Sequence, residues 1–427
     1  MRTIPIYPAK SISGSLRLPG DKSISHRYAM LGAIAKGTTR LENFSTGADC
    51  TSTLACLEKL RVRCDRDGST ITIHGCGPHL QAPASPLDCG NSGSTMRMLS
   101  GILAGQDFTS ELIGDESLSR RPMARIITPL ETMGATIHAH NGQRPPLRIT
   151  GAHLKPIKYE MPIASAQVKT AVLFAGLFAK GETSVSEPIP TRDHTEIALR
   201  AFGAKLKTQS KSIRIEGKQE LHAIETTIPG DLSSAAFFMC AVALFPGSQL
   251  LITDLLMNPT RARLLDVLIA MGLGISVLKM TEQHGELRGT VQVEGRTLTR
   301  GTIAGADTAA LIDELPVLAA IAPYTKQGIE IHDARELRLK ESDRVASVAA
   351  NLRAMGAEVD EREDGLHIPG GQRLHGAEID SFGDHRIAMA FAVAALRADG
   401  ETHIRRAESA AISYPGFFET LESLLQR

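Results

Sequence analysis

Apolar residues in this chain form short runs that recur at a regular distance. Segments such as VKTAVLFAGLF and IAMAFAVAAL are apolar on nearly all sides, and helices with that pattern are usually buried. A glycine follows each of six such segments, at Gly37, Gly105, Gly181, Gly247, Gly328 and Gly400. Because glycine just past a helix end is typical of a C-terminal cap, the pattern predicts six buried helices, each followed by a strand.

A second recurring phrase is out of phase with the first. It starts with a leucine near a helix end and often continues to Gly-Ala, at Leu57, Leu130, Leu199, Leu268, Leu352 and Leu421. The spacing of 69 to 84 residues predicts six units, each consisting of a helix, a strand, a helix and a strand pair. Two globular domains of three units each fit the usual domain size better than one solenoid does.

The two ends of the chain indicate how the last of the six units is completed. The sixth unit stops at Arg427, directly after its second helix, whereas IPIY and GSLRL near the N-terminus have strand character with no helix before them. We therefore predict that residues 1–20 supply the missing strands of the sixth unit. The expected domains are 21–229 and 1–20 plus 230–427, so that the chain crosses between them twice.

Composition narrows the classes of function. Lys plus Arg total 47, as do Asp plus Glu, so the basic excess usual in nucleic-acid binders is missing. The longest apolar run, 235–245, is too short to span a bilayer, and the N-terminus lacks the apolar stretch of a signal peptide. Six cysteines form no CxxC pair, which argues against a zinc or redox site. A cytoplasmic protein without membrane or nucleic-acid partners is expected.

Basic residues recur where the buried helices are predicted to begin. Ser, Asp, Asn and Gly at these positions are ordinary helix caps. Capping does not require the cations that accompany them, which are Lys22, Arg27, Arg97, Lys169 and Arg386. A cation is unfavourable beside the positive N-terminus of a helix, so its repetition there predicts that an anion is bound.

The starts of the second helices show the same bias. Basic residues occur there at Arg121, Arg192, Arg261, Lys340 and Arg344. For any one pair, a solvated charged surface is the alternative. Their recurrence at equivalent positions, in a chain of zero net charge, favours a ligand with several negative charges. Candidate acids and bases are Asp313, Glu314 and Glu341, because a carboxylate among cations stays ionised and can accept a proton.

The segments that carry these residues are similar to the enolpyruvyl transferases. In chain order they are GDKSISHR, GNSGSTMR, SAQVK, RDHTE, NPTR, KESDR and GDHR, and RDHTE, SAQVK and NPTR resemble the branch often called class II. The resemblance implies an α/β fold of two similar domains. Each domain would contain three repeats of a βαβαββ unit in an inside-out α/β barrel, with the active site in the cleft between them.

The resemblance also implies a reaction. The enolpyruvyl group of phosphoenolpyruvate would move to the 5-hydroxyl of shikimate 3-phosphate, with release of phosphate through a tetrahedral intermediate, in the biosynthesis of aromatic amino acids. No cofactor or metal is implied, a monomer is expected, and the herbicide glyphosate would occupy the phosphoenolpyruvate site.

Site residues follow from the same resemblance. Contacts with shikimate 3-phosphate are implied for Lys22, Ser23, Arg27, Ser165, Gln167, Arg192, Asp313 and Lys340. Contacts with phosphoenolpyruvate are implied for Lys22, Gly93, Arg121, Gln167, Arg344 and Arg386. Asp313 would take the proton of the 5-hydroxyl, and Glu341 and Lys22 are the candidates for protonating the methylene carbon.

One departure and two alternatives stay open. Some members carry a lysine before the C-terminal aromatic-proline pair, where this chain has 411–413 (Ala-Ile-Ser); Arg405 or Arg406 could replace it. The first alternative is enolpyruvyl transfer to a UDP-sugar, although GDESLSRRPM lacks the loop cysteine of that relative. The second is a non-catalytic protein that binds polyanions or RNA ends.

Overall fold

The computed structural model of this chain describes residues 2–427, in which helices and strands alternate. Three 3-10 helices cover Ala322–Tyr324, Arg335–Leu339 and Ala407–Ile412. The α-helices are α1 (Lys22–Ile34), α2 (Ala48–Lys59), α3 (Gly93–Ala104), α4 (Glu116–Ser119), α5 (Ala124–Thr132), α6 (Ala166–Gly176), α7 (His194–Ala201), α8 (Leu232–Ala243), α9 (Arg263–Ala270), α10 (Ala306–Ala310), α11 (Leu315–Ile321), α12 (Arg344–Ala354), α13 (His385–Ala395) and α14 (Phe417–Ser423).

The strands are short and mostly paired with neighbours in sequence. They are β1 (Thr3–Ile6), β2 (Ser11–Arg17), β3 (Lys36–Glu42), β4 (Arg63–Asp67), β5 (Thr70–Cys76), β6 (Leu87–Asp88), β7 (Thr109–Ile113), β8 (Thr136–His140), β9 (Arg144–Thr150), β10 (Lys158–Glu160), β11 (Glu182–Ser186), β12 (Leu206–Gln209), β13 (Ser212–Glu216), β14 (Glu225–Thr227), β15 (Gln249–Leu256), β16 (Gly274–Gln283), β17 (Glu286–Glu294), β18 (Arg300–Ile303), β19 (Gly328–Ile331), β20 (Asp360–Arg362), β21 (Gly365–Ile368), β22 (Glu378–Asp380), β23 (Thr402–Arg405) and β24 (Leu425–Gln426).

The predicted buried helices are α1, α3, α6, α8, α11 and α13, and each begins where its cap residues indicated. Asp21, Ser92, Ser165, Asp231 and Asp384 each accept a hydrogen bond from a backbone N–H in the first turn of the helix that follows. Every residue of α8 is buried. None of the helices in residues 2–427 combines the length and apolar character that a membrane crossing requires.

Within residues 2–427 the strands form six sheets that share one plan. In each complete sheet, a short strand that precedes a buried helix lies parallel to the strand that follows such a helix, and the strand pair then continues the sheet. The orders are β14-β3-β5-β4, β6-β7-β9-β8, β10-β11-β13-β12, β24-β2-β15-β17-β16, β18-β19-β21-β20 and β22-β23-β1. The fold is therefore the α/β repeat architecture that the sequence predicts.

The two N-terminal strands belong to different sheets. Strand β1 pairs antiparallel with β23, with Ile4 opposite Ile404, and so lies in the sheet of the sixth unit. Strand β2 runs parallel to β15, with Leu16 opposite Ile252. Strand β2 also pairs antiparallel with β24, with Ile12 opposite Leu425, so both N-terminal strands pair with the sixth unit as predicted. The parallel pairing with β15 in the fourth unit was not predicted. Strand β2 precedes α1 and takes the parallel position in the fourth sheet, just as β14, which precedes α8, takes it in the first.

Contacts divide the chain into two compact units. One, called here the N-terminal unit, comprises Gly20–Ile228 and Gln283–Glu286. The other, the C-terminal unit, comprises Met1–Pro19, Pro229–Glu282 and Leu287–Arg427. We retain 21–229 and 1–20 plus 230–427 as the proposed domain limits.

Candidate active site

The start of α1 carries three of the residues implied to contact shikimate 3-phosphate, which are Lys22, Ser23 and Arg27. The half-buried Lys22 donates from Nζ to Asp49 Oδ2 at 3.1 Å. Arg27 is buried one turn further along and donates from Nη1 to the carbonyl oxygen of Ser23 at 2.8 Å. The ammonium of Lys22 is therefore oriented by a carboxylate at the start of α2, while Ser23 and Arg27 are fixed to each other.

Arg27 also forms hydrogen bonds to the third of the six repeats. Its Nε donates to Thr195 Oγ1 at 2.7 Å and its Nη2 to Thr170 Oγ1 at 2.9 Å. Burial lowers the pKa of Arg27 to about 10, an effect that the charge of Glu196 partly offsets. The guanidinium is thus a fixed cation held by α1, α6 and α7.

Gly93 opens α3 beneath two guanidinium groups. A Cβ atom added at Gly93 would lie 2.9 Å from Arg97 Nη1 and 3.4 Å from Arg121 Nη1. Arg97 Nη1 donates to Gln167 Oε1 at 2.8 Å, and Gln167 Nε2 donates to Ser94 Oγ at 2.9 Å. The structure therefore brings Gly93, Arg121 and Gln167 together, as the resemblance implies, and adds Arg97, which the resemblance did not assign to a ligand.

Two cations singled out in the sequence are enclosed by acids instead. Lys169 is fully buried and donates to Glu187 and Glu196. Arg261 is buried and donates to the Ser233 hydroxyl at 2.5 Å, with Glu314 Oε1 at 3.7 Å. Internal carboxylates therefore already face both cations, so an external anion is not required to balance their charge; binding of such an anion stays a prediction for these two residues.

Arg344 organises the acids of the C-terminal unit. Only 1% of its side chain is exposed, and it donates from Nε to Asp384 Oδ2 at 2.8 Å and from Nη2 to Glu341 Oε2 at 2.7 Å. Its Nη1 lies 3.7 Å from Asp313 Oδ1. Burial would lower the pKa of Arg344, but Asp384 and Glu341 raise it above its ordinary value. One permanent cation therefore holds both candidate proton-transfer groups, Asp313 and Glu341.

Lys340 and Arg386 are the other two implied cations of the C-terminal unit. Burial lowers the pKa of the half-buried Lys340, an effect opposed by the carboxylate of Asp313. Arg386 is buried at the start of α13, and its guanidinium carbon lies 5.9 Å from the ring centroid of Phe237. Its Nε has no hydrogen-bond partner in residues 2–427. A buried charged donor without a partner is costly, and a bound anion would satisfy it.

The remaining implied residues lie at element ends. Ser165 Oγ caps α6 by accepting from Val168 N at 3.4 Å, and half-buried Arg192 lies in the loop before α7. Of the two arginines that could replace the missing lysine, Arg405 is exposed, whereas Arg406 donates to Asp380 Oδ2 at 3.0 Å. No cluster of His, Cys, Asp or Glu in residues 2–427 is arranged to hold a metal ion.

Known proteins are similar to this chain over its whole length. The family model described as EPSP synthase (3-phosphoshikimate 1-carboxyvinyltransferase) matches residues 6–421. A relative from Koribacter versatilis with the name 3-phosphoshikimate 1-carboxyvinyltransferase is 58% identical over 100% of both chains. One of the same name from Solibacter usitatus is 54% identical over 99% of each. The solved EPSP synthase of Acinetobacter baumannii superposes with a TM-score of 0.89 at 42% identity, covering 100% of this chain and 98% of that one.

Proposed function

Because the chain belongs to the EPSP synthase family, we propose that it transfers the enolpyruvyl group of phosphoenolpyruvate to the 5-hydroxyl of shikimate 3-phosphate and releases phosphate. The observation that carries this proposal is the Arg344 cluster, in which one buried cation contacts both Asp313 and Glu341. Such a cluster holds two carboxylates in fixed positions, each of which can accept a proton and, once protonated, donate it. We further propose that the enzyme acts as a cytoplasmic monomer.

The charges of the protein match those of the proposed substrates. Each phosphate carries roughly −1.5 to −2 at neutral pH, so the two phosphates and two carboxylates bring about −5 to −6 in all. The basic residues proposed to balance this charge are Lys22, Arg27, Arg121, Arg192, Lys340, Arg344 and Arg386. Most are held by hydrogen bonds or ion pairs within their own unit, so little reorganisation is required when the ligands bind.

The proposed reaction has an addition step and an elimination step. In the addition, Asp313 takes the proton of the 5-hydroxyl, the oxygen bonds to the enol carbon of phosphoenolpyruvate, and Glu341 or Lys22 protonates the methylene carbon. In the elimination, the residue that donated this proton takes one back from the methyl group, the bond from the former enol carbon to the phosphate oxygen breaks, and phosphate leaves with that electron pair. The residues contribute positioning and a fixed electrostatic field.

A phosphate-release assay tests the proposal against its alternatives. With phosphoenolpyruvate present, phosphate should appear on addition of shikimate 3-phosphate and not on addition of a UDP-sugar. Release that depends on the UDP-sugar would favour the first alternative. If neither acceptor causes phosphate release, enolpyruvyl transfer to both acceptors is excluded, and the polyanion-binding protein is left as the candidate.

Glyphosate is expected to inhibit this enzyme in competition with phosphoenolpyruvate, and Gly93→Ala to weaken that inhibition. The added methyl group would press on the guanidinium groups of Arg97 and Arg121, which lie 2.9 and 3.4 Å from the Cβ position. Overpacking of this kind costs about 1–3 kcal/mol, or roughly 5- to 150-fold in the inhibition constant. The Michaelis constant of phosphoenolpyruvate should rise less, because the inhibitor is slightly longer.

Gly416→Ala is the matched control, since this glycine also lies at the start of a helix and the nearest atom to its Cβ position is 4.0 Å away. Both constants should stay unchanged in that variant. Equal losses for the two ligands in Gly93→Ala would instead mean that the glycine serves only the turn, and an insensitive wild type would refute the expected inhibition.

A further inference from the structure

A fully buried ammonium group lies at the base of the loop that carries Arg192. Lys169 Nζ donates to Glu196 Oε1 at 2.7 Å and to Glu187 Oε2 at 3.1 Å. The three side chains are at most 5% exposed. Glu187 directly follows β11 and Glu196 lies in the first turn of α7. One lysine on α6 therefore joins the two ends of the segment 187–196.

Glu187 also orders the interior of this loop. Its Oε1 accepts a hydrogen bond from the backbone N of Thr191 at 3.3 Å and another from the Thr191 hydroxyl. The residues between, 188–190, are exposed and include two prolines, which restrict the backbone. Thr191 immediately precedes Arg192. The Glu187 carboxylate, which accepts from Lys169, therefore also fixes the backbone next to Arg192.

The loop carries a second cation toward Arg27, because Arg27 Nε donates at 2.7 Å to Thr195, three residues after Arg192. Arg192 adds to the effect of burial in lowering the pKa of Arg27, so the two guanidinium groups repel each other in the absence of a ligand. Arg27 is fixed through Ser23, Thr170 and Thr195. A restraint on the loop that carries Arg192 therefore acts against this repulsion.

We propose that Lys169, Glu187 and Glu196 form a buried clip that positions Arg192 beside Arg27 before the phosphorylated acceptor binds. The inference rests on the proposed function and adds positioning residues to it. None of the three contacts the substrate in this account. The clip raises affinity because the loop is ordered in advance, so that binding does not have to restrict it.

A purely stabilising role would not require these charges. Replacing a buried ion cluster by apolar side chains of similar volume is often neutral or even stabilising. Charges retained in such a place are better explained by the geometry that they impose. Here that geometry is the closure of the loop and the orientation of Thr191.

Glu187→Gln tests the clip while keeping the Lys169–Glu196 pair. Lys169→Met is less suitable, because two buried carboxylates without a cation could prevent folding. A hydrogen bond to a charged group is worth about 10- to 150-fold, and part of this should reach Arg192. We expect the dissociation constant of shikimate 3-phosphate, measured by calorimetry, to rise roughly 5- to 50-fold, with kcat changed less than about threefold.

A double-mutant cycle separates positioning from general structure. If Glu187 acts through Arg192, adding Glu187→Gln to Arg192→Gln should weaken binding by no more than about twofold further. Glu182→Gln in β11 is the control, because its exposed carboxylate lies 3.8 Å from both Lys207 and Arg214 and touches no part of the loop. That variant should bind like the wild type.

Two results would overturn the clip. One is an unchanged dissociation constant in a folded Glu187→Gln protein, and the other is a full additional loss in the Arg192→Gln background. Either can occur while the wild type binds shikimate 3-phosphate and releases phosphate with it, in which case the proposed function stands. A wild type that neither binds nor uses shikimate 3-phosphate would refute both the function and the clip.

Discussion

Asp313→Asn is expected to lower turnover by about 10² to 10⁴-fold, the usual contribution of a general base. The side chain is 22% exposed and its Oδ1 lies 3.7 Å from Arg344 Nη1. The nearby cation keeps the carboxylate ionised and therefore able to accept a proton. Asparagine has the same shape but no basic oxygen. The loss should therefore appear in kcat, while the dissociation constant of shikimate 3-phosphate changes little.

Asp307→Asn is the control for this experiment. Asp307 is also paired with an arginine, at 2.6 Å from Arg263 Nε, and lies in the same unit. It belongs to the short helix α10 and has no part in the Arg344 cluster, so turnover should stay near that of the wild type. Near-normal turnover in Asp313→Asn would exclude the assigned role, and a loss confined to substrate binding would make Asp313 a ligand only.

Helix starts and repeat count could be predicted because their signals are local. A cap such as Ser92 accepts a hydrogen bond from a backbone N–H three residues away. Of the glycines in residues 2–427 that were expected to cap the buried helices, only Gly105 does so. The other five have positive φ and lie within two residues of the start of the following strand, at Gly37, Gly181, Gly247, Gly328 and Gly400. The sheet of β2 could not be predicted in this way. Its partner β15 lies more than 230 residues further along the chain, and nothing in GSLRL specifies that this strand joins β15 of the fourth unit as well as β24 of the sixth.

The roles of the basic residues in the site also depend on distant segments and could not be predicted from local sequence. Lys22, Arg27 and Lys169 look alike in sequence, since all are basic residues near a helix start. They differ in the acids brought to them by distant segments: Lys169 meets Glu187 and Glu196, whereas Arg27 meets hydroxyl groups. The available signal is the glutamate at the end of RDHTE, Glu196, whose partner Lys169 lies 27 residues earlier in the chain. Interpreting it requires knowing which helix lies opposite.

Arg344→Met is expected to destabilise the C-terminal unit by about 3–5 kcal/mol, the usual cost of removing one partner from a buried ion pair. The carboxylate of Asp384 is fully buried and receives two hydrogen bonds from Arg344, at 2.8 and 3.2 Å. Methionine fills similar space but leaves this charge without a cation. Glu341 and Asp313 lose the same partner, so phosphate release should also disappear. Equilibrium denaturation followed by circular dichroism measures the change in stability.

Two further variants make the interpretation specific. Arg353→Met lies on the same helix, α12, and removes an exposed pair with Glu361 at 3.4 Å, so its effect should stay within about 1 kcal/mol. Arg344→Lys keeps the charge but loses the planar fork that reaches Asp384 and Glu341 together, so it should recover part of the stability and little of the turnover. If Arg344→Met and Arg353→Met denature at the same concentration of denaturant, Arg344 does not hold the acids of this unit in place. Full turnover in Arg344→Lys would mean that its charge alone is sufficient.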